Sequence, residues 1–233
     1  MLGLSHPTFI QASKQGGVEM KKNTNLLHFA VITALVFVMA MMSPAFSSAG
    51  AAKDSKTLEN LQAAFNGESN AHAKYLAYSK KAEEEGYLKV AALFRATAAA
   101  EEIHFNNHAK VIKGMGASPK AEIKLPEIKS TEENLAEAIK GETYEETVMY
   151  PEFLVQAEKE QNNDAIETFT YAKAAEGEHA KLYKKALRNL NNWKVADIGF
   201  SVCPICGYTV EGKPAFTDCP ISATPADTFR LIN

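Results

Sequence analysis

The sequence predicts an all-α fold, a four-helix bundle followed by a small metal-knuckle segment at the C-terminus. Three observations carry this. Four long stretches repeat apolar residues at spacings of three and four, the mark of a helix with one buried face. The second pair of stretches echoes the first. Two Cys-Pro-Ile motifs, opened by Cys203 and Cys219, close the chain. With 46% apolar and 23% charged residues, the 233-residue chain can bury one fair-sized core and a smaller one. A net charge of −3 gives no argument for nucleic acid or a membrane surface. Three cysteines, all near the C-terminus, do not make a disulfide scaffold.

Residues 1–51 are expected to stay outside the mature fold. Lys21 and Lys22 precede an apolar run from Leu26 to Met42, then Ser43, Pro44 and small residues through Ala52. That order fits a secretory signal, with cleavage after Ala49 or Ala51, and so an exported, periplasmic protein. A membrane anchor is the alternative, because the run approaches the minimum spanning length of roughly 17 residues. Residues 1–19 make no sense ahead of such a leader. Met20 is the expected start, and Gln15-Gly16-Gly17 reads as a translated ribosome-binding sequence.

The bundle is expected over 55–192. Its first helix runs from about Thr57, as N-cap, to Glu85, with Gly86 as the stop. The second covers about Tyr87 to Lys113 and ends at Gly114 and Gly116. A lysine-rich loop with Pro119 and Pro126 crosses to the third helix, which Ser130-Thr131-Glu132-Glu133 opens as a capping box. That helix continues to about Gln161, with a kink at Pro151. The fourth covers about Asn163 to Asn191. Glu68 matches Glu142 at an offset of 142 − 68 = 74, and Glu101 matches Glu176 at 176 − 101 = 75. Two similar hairpins running in the same sense need the one long crossover that the loop supplies.

The chemistry lies where the apolar stripes are interrupted. They read Leu61, Phe65, Glu68, His72, Tyr75; Phe94, Thr97, Glu101, His104, His108; Leu135, Ile139, Glu142, Glu145, Met149; and Phe169, Ala172, Glu176, His179, Tyr183. A buried carboxylate costs several kcal/mol, and four facing one another would repel. Divalent cations remove that penalty, and oxygen ligands with two imidazoles suit iron or manganese. Glu-x-x-His places both side chains one turn apart on one face. Two such motifs, Glu101/His104 and Glu176/His179, plus Glu68 and Glu142 from the other helices, form a di-iron carboxylate pattern. A single Glu-x-x-His on an alanine-rich helix is usually a solvated face; two in register across a repeat are not. His72 and His108 lie a turn beyond the site, as packing or supporting histidines. Glu145 has no acidic counterpart, since Ala71 holds the matching position. It gives one metal a second ligand to compete with His104.

The segment 198–233 is expected to fold separately around Cys203-Pro204-Ile205-Cys206-Gly207 and Cys219-Pro220-Ile221-Ser222, with twelve residues between Cys206 and Cys219. Paired knuckles at this spacing hold one tetrahedral iron or zinc.

From about Leu58 onward the chain resembles the rubrerythrins. The motifs are Gly67-Glu68, Glu101-x-x-His104, Gly141-Glu142-x-x-Glu145, Met149-Tyr150-Pro151, Glu176-x-x-His179 and the rubredoxin-like tail. The resemblance implies a ferritin-like di-iron domain followed by a rubredoxin-like iron site, in a peroxidase that reduces hydrogen peroxide to water. It implies ligand roles for Glu68, Glu101, Glu142, Glu145, Glu176 and His179, with His104 exchanging for Glu145 on reduction. Tyr75 and Tyr150 would bond ligands or peroxide. It further implies a homodimer in which one subunit's tail feeds the other's bundle. Two features depart from the pattern. Ser222 stands where a fourth cysteine ligand belongs, so the tail holds iron, zinc or nothing, or pairs Cys203 with Cys206 in a disulfide. Export would require a periplasmic electron donor, which the sequence does not name. An iron-oxidising, iron-handling protein without peroxidase turnover is the alternative function, and a redox-inert structural bundle the third.

Overall fold

Ser55, rather than Thr57, opens the first helix: its side chain accepts from the backbone N–H of Leu58, while Thr57 lies buried inside the first turn. The structure is a computed structural model and describes residues 55–195 and 198–233. The leader expected over 1–51 lies outside the described residues. Among the described residues no helix is long and apolar enough to cross a membrane.

Helix α1 spans Lys56–Glu84 and α2 spans Leu88–Gly114. They are joined by a turn at Gly86, whose φ of 80° suits a residue without Cβ. The crossover comes next, and the Ser130–Glu133 capping box opens α3, Thr131–Tyr144. The third stretch is not one kinked helix. It passes into a π-helical turn, Glu145–Met149, and resumes as α4, Tyr150–Lys159. Pro151 lacks an N–H, which weakens the ordinary ladder there. At the end of the turn Tyr150 N bonds Glu145 O, five residues back. Helix α5, Asn163–Arg188, is capped by the Asn162 side chain on Ala165 N.

The crossover runs extended along α1. Gln62, Asn66 and Asn70, four residues apart on one face, bond its backbone in turn. Gln62 takes Lys120 N (3.2 Å) and gives to Ser118 O (2.8 Å). Asn66 takes Glu122 N (2.8 Å), and Asn70 takes Lys124 N (2.7 Å).

Two apolar clusters fill the bundle, one around Tyr75, Tyr78, Phe94 and Tyr183, the other around Leu61, Ile112, Tyr150 and Phe169. After Trp193 the chain forms a small antiparallel sheet in the order β2-β1-β3, with β1 Phe200–Val202, β2 Thr209–Glu211 and β3 Arg230–Ile232. Phe200 pairs with Glu211 on one side and Ile232 on the other. Lys89 of α2 reaches Glu211 of β2 at 2.7 Å and ties this sheet to the bundle.

Candidate metal centre

The six ligands read from the repeat converge in the buried middle of the bundle. Glu68, Glu101, His104 and Glu176 form one group, and Glu101, Glu142, Glu176 and His179 a second. Within each group one ligand atom per residue lies within 4.8 Å of the others. Glu101 and Glu176 belong to both and would serve both ions. Glu68 with His104 would complete one site, and Glu142 with His179 the other.

Several of these atoms have no partner of their own. Glu68 Oε2, Glu142 Oε2, both oxygens of Glu176 and Nδ1 of His179 are buried without a hydrogen bond. His179 Nδ1 does lie 2.8 Å from Glu176 Oε2. At that distance the two still do not meet hydrogen-bond geometry. Orphaned buried oxygens and an aimed imidazole nitrogen are what a divalent cation would satisfy. The residues therefore fit two ions.

Electrostatics without ions agree. Burial first, then the facing carboxylates, raise Glu68 and Glu145 well above the ordinary range and push Glu142 up to about 8. Burial alone would lower both imidazoles, but Glu176 and Glu101 raise His104, and Glu142 and Glu176 raise His179. Glu176, between them, is held low despite its burial.

The tail fixes the imidazoles. His104 Nε2 lies 3.0 Å from Cys206 O, and His179 Nε2 lies 3.3 Å from Gly207 O and 3.2 Å from Thr209 Oγ1. Donation of Nε2–H to a carbonyl leaves Nδ1 facing the site, the usual support of a metal-binding histidine. These contacts are made within one chain, on the bundle's own ligands. The sequence offered no signal for them, because two of the three acceptors are backbone carbonyls.

Tyr75 donates to Glu142 and Tyr150 to Glu68, so each hairpin's tyrosine holds the other's terminal carboxylate. Glu145, the first residue of the π-helical turn, lies outside both ligand groups. It lines a cleft of about 460 Å³ with Gly67, Ala71 and Lys74. His104, by contrast, belongs to the first ligand group. His108 bonds Tyr150, whereas His72 turns away to Ala98 O (2.7 Å) and packs edge-on against Phe105.

In the tail, Cys203, Cys206 and Cys219 are free thiols with their sulfurs together. Cys206 Sγ lies 3.5 Å from Cys219 Sγ, and Ser222 Oγ lies 3.4 Å from Cys203 Sγ. A tetrahedral site with ~2.3 Å metal–sulfur bonds needs edges of roughly 3.8 Å, so the set fits one ion. The knuckles match bond for bond: Gly207 N to Cys203 O (3.1 Å) and Cys203 N to Tyr208 O (2.9 Å) repeat as Ala223 N to Cys219 O (2.9 Å) and Cys219 N to Thr224 O (2.7 Å). Cys206 and the knuckle amides direct hydrogen bonds at Cys203 and hold its thiol down to about 4.

Fold and centre together define a ferritin-like protein with a dinuclear carboxylate–histidine site and a cysteine-knuckle tail. The Rubrerythrin family model matches residues 59–187. Nigerythrin of Nitratidesulfovibrio vulgaris is 44% identical over 174 residues, covering 74% of this chain and 85% of that protein. A solved structure of fully reduced, all-ferrous nigerythrin superposes with a TM-score of 0.70 at 43% identity, covering 76% of this chain and 90% of that one. Bacterioferritin of Desulfovibrio desulfuricans shares the fold at 20% identity and a TM-score of 0.57, over 62% of this chain and 84% of its own. The chain belongs to the rubrerythrin family, and so to the di-iron oxidoreductases.

Proposed function

We propose that this protein binds two iron ions in the bundle and reduces hydrogen peroxide to water. The observation that carries the reading is the pair of ligand groups sharing Glu101 and Glu176, with Glu145 held off at the wall of an access cleft. Iron, when bound, supplies two electrons and Lewis acidity. The protein's own residues do the rest. Tyr75 and Tyr150 fix the terminal carboxylates, and the apolar clusters on either side limit water. Glu145 stands ready to exchange with His104 on reduction, which leaves the cleft side of the site open to peroxide. One hydrogen bond, from His104 Nε2–H to Cys206 O, connects the bundle's ligand set to the tail's. In a homodimer the same two surfaces can meet between subunits instead of within one. Export through a cleaved leader is part of the proposal; its check is the N-terminal mass of the mature protein from cells, expected to begin after Ala49 or Ala51.

The test is metal content of anaerobically purified protein, then titration with hydrogen peroxide. The expected result is two iron ions per bundle and one peroxide consumed per reduced pair, with turnover when an electron donor is added. A third iron with a rubredoxin-type visible band would show Ser222 to be tolerated. Stoichiometric Fe(II) oxidation by oxygen without peroxide turnover would favour the iron-handling alternative, and fewer than two redox-active ions would overturn the centre.

A further inference from the structure

We infer that Thr168, His108 and Tyr150 form a proton relay leading from a solvent-open cleft on the flank of the bundle to the ligand carboxylate of Glu68. The inference rests on the peroxide-reducing reading above, because breaking the O–O bond of hydrogen peroxide with two electrons from the reduced ion pair consumes two protons to give two waters. Some path must bring protons to a buried site.

The path is continuous. Thr168 Oγ1 lies 3.0 Å from His108 Nδ1, His108 Nε2 lies 3.1 Å from the Tyr150 hydroxyl, and that hydroxyl donates to Glu68 Oε1. Its direction follows from counting hydrogens. Tyr150 has one hydroxyl proton and gives it to Glu68, so its oxygen can only accept from His108. Nε2 therefore carries the ring proton, and Nδ1 is the acceptor for the Thr168 hydroxyl. Every donor points inward. A proton entering at Nδ1 releases the one on Nε2 to Tyr150, which passes its own to Glu68. Return of the ring to the Nε2–H tautomer completes the cycle.

Both ends suit the role. Thr168, 5% exposed, lines a cleft of about 540 Å³ with Tyr171, Asp164 and Glu167. Asp164 and Glu167 put two carboxylates on the wall of that cleft, beside Thr168. Burial, with the charge of His104 second, lowers His108 to about 3, so the ring stays neutral and can take a proton on one side as it loses one on the other. The repeat lacks a second relay. Tyr183 holds the position matching His108 (183 − 108 = 75), and its hydroxyl meets Thr97. Thr97 in turn bonds Leu93 O and Phe94 O inside the core, a dead end. A histidine that merely satisfied buried polar atoms would need no such line to solvent.

The experiment is stopped-flow oxidation of ferrous-loaded protein by hydrogen peroxide, comparing the native chain with His108→Gly at equal iron content. Oxidation is expected to slow by about tenfold or more. Imidazole added at millimolar concentration should restore it, whereas 1-methylimidazole, which cannot carry a proton from one nitrogen to the other, should not. Thr168→Val is expected to slow it in the same direction. Independently, ¹⁵N NMR of zinc-loaded protein should show His108 protonated on Nε2. An unchanged rate in iron-replete His108→Gly overturns the relay, and so does an Nδ1–H tautomer. If the variant loses iron or imidazole fails to enter, the tautomer and Thr168→Val decide. If the native chain itself does not react with peroxide, the functional reading fails, and the tautomer still judges the wire.

Discussion

At the scale of single residues, Gly207 carries two constraints at once. Its φ of 74° is left-handed, and a methyl group there would strike His104 Nε2. Gly207→Ala is therefore expected to lift the knuckle from the bundle. The left-handed strain alone costs about 1–2 kcal/mol, and the collision adds to it. Limited proteolysis should cut between Trp193 and Phe200 faster in the variant, and zinc binding at the bundle should weaken as His104 loses its carbonyl acceptor. The second knuckle shows the converse. Ala223 holds a φ of 55° where a side chain is disfavoured, yet the knuckle's hydrogen bonds persist. Ser222 Oγ thus stays 3.4 Å from Cys203 Sγ, with Thr224 Oγ1 2.8 Å from its own oxygen. Ser222→Cys is expected to tighten zinc binding in the tail by about tenfold or more, because thiolate is the softer ligand. A competition titration against a chelator measures it, and unchanged affinity would mean that the serine position takes no part in binding.

At the scale of elements, the third stretch shows what the sequence revealed and what it concealed. Four stripes interrupted by glutamates were legible because burial makes a carboxylate conspicuous among apolar neighbours. The π-helical turn was written only as a change of offset: Glu68 and Glu142 differ by 74, whereas Tyr75 and Tyr150 differ by 150 − 75 = 75. The extra residue enters between them, at the turn that Glu145 opens. Pro151 suggested a kink, but a proline does not say whether a helix bends or widens. The docking of the crossover was not legible at all. Gln62, Asn66 and Asn70 resemble any polar helix face until an extended backbone lies along them. Asn70 gives to Glu122 O (2.9 Å) and accepts from Lys124 N. Asn70→Ala should cost about 1–3 kcal/mol for two such bonds, read as a fall in the unfolding midpoint, with a larger effect on proteolysis within 117–128. Equal cleavage in both proteins would show that the amide ladder does not hold the crossover.

At the scale of the whole molecule, the bundle is an acidic core whose stability depends on what neutralises it. Metal-free, Glu142 titrates at about 8 and Glu68 and Glu145 are raised as well, and His104 and His179 are raised by the carboxylates they face. The unfolded chain titrates these groups near their ordinary values, about 4.3 for glutamate and 6.5 for histidine. Between those values and the folded ones, the folded state binds more protons than the unfolded state. Its stability is then fully present below about pH 4.3 as far as these groups are concerned, and it is lost as pH rises toward 8. Glu176, held low, acts in the opposite sense only below the ordinary carboxylate range. Divalent ions replace the same protons, so binding releases them and strengthens as pH rises. The expected result is a crossing pair of curves. The unfolding midpoint of the metal-free protein falls between pH 5 and pH 8, while that of the zinc- or iron-loaded protein does not, and the gap between them widens with pH. A metal-free midpoint that rose over this interval would mean that the carboxylates are already compensated by the protein itself, and the argument that ions complete this core would fail.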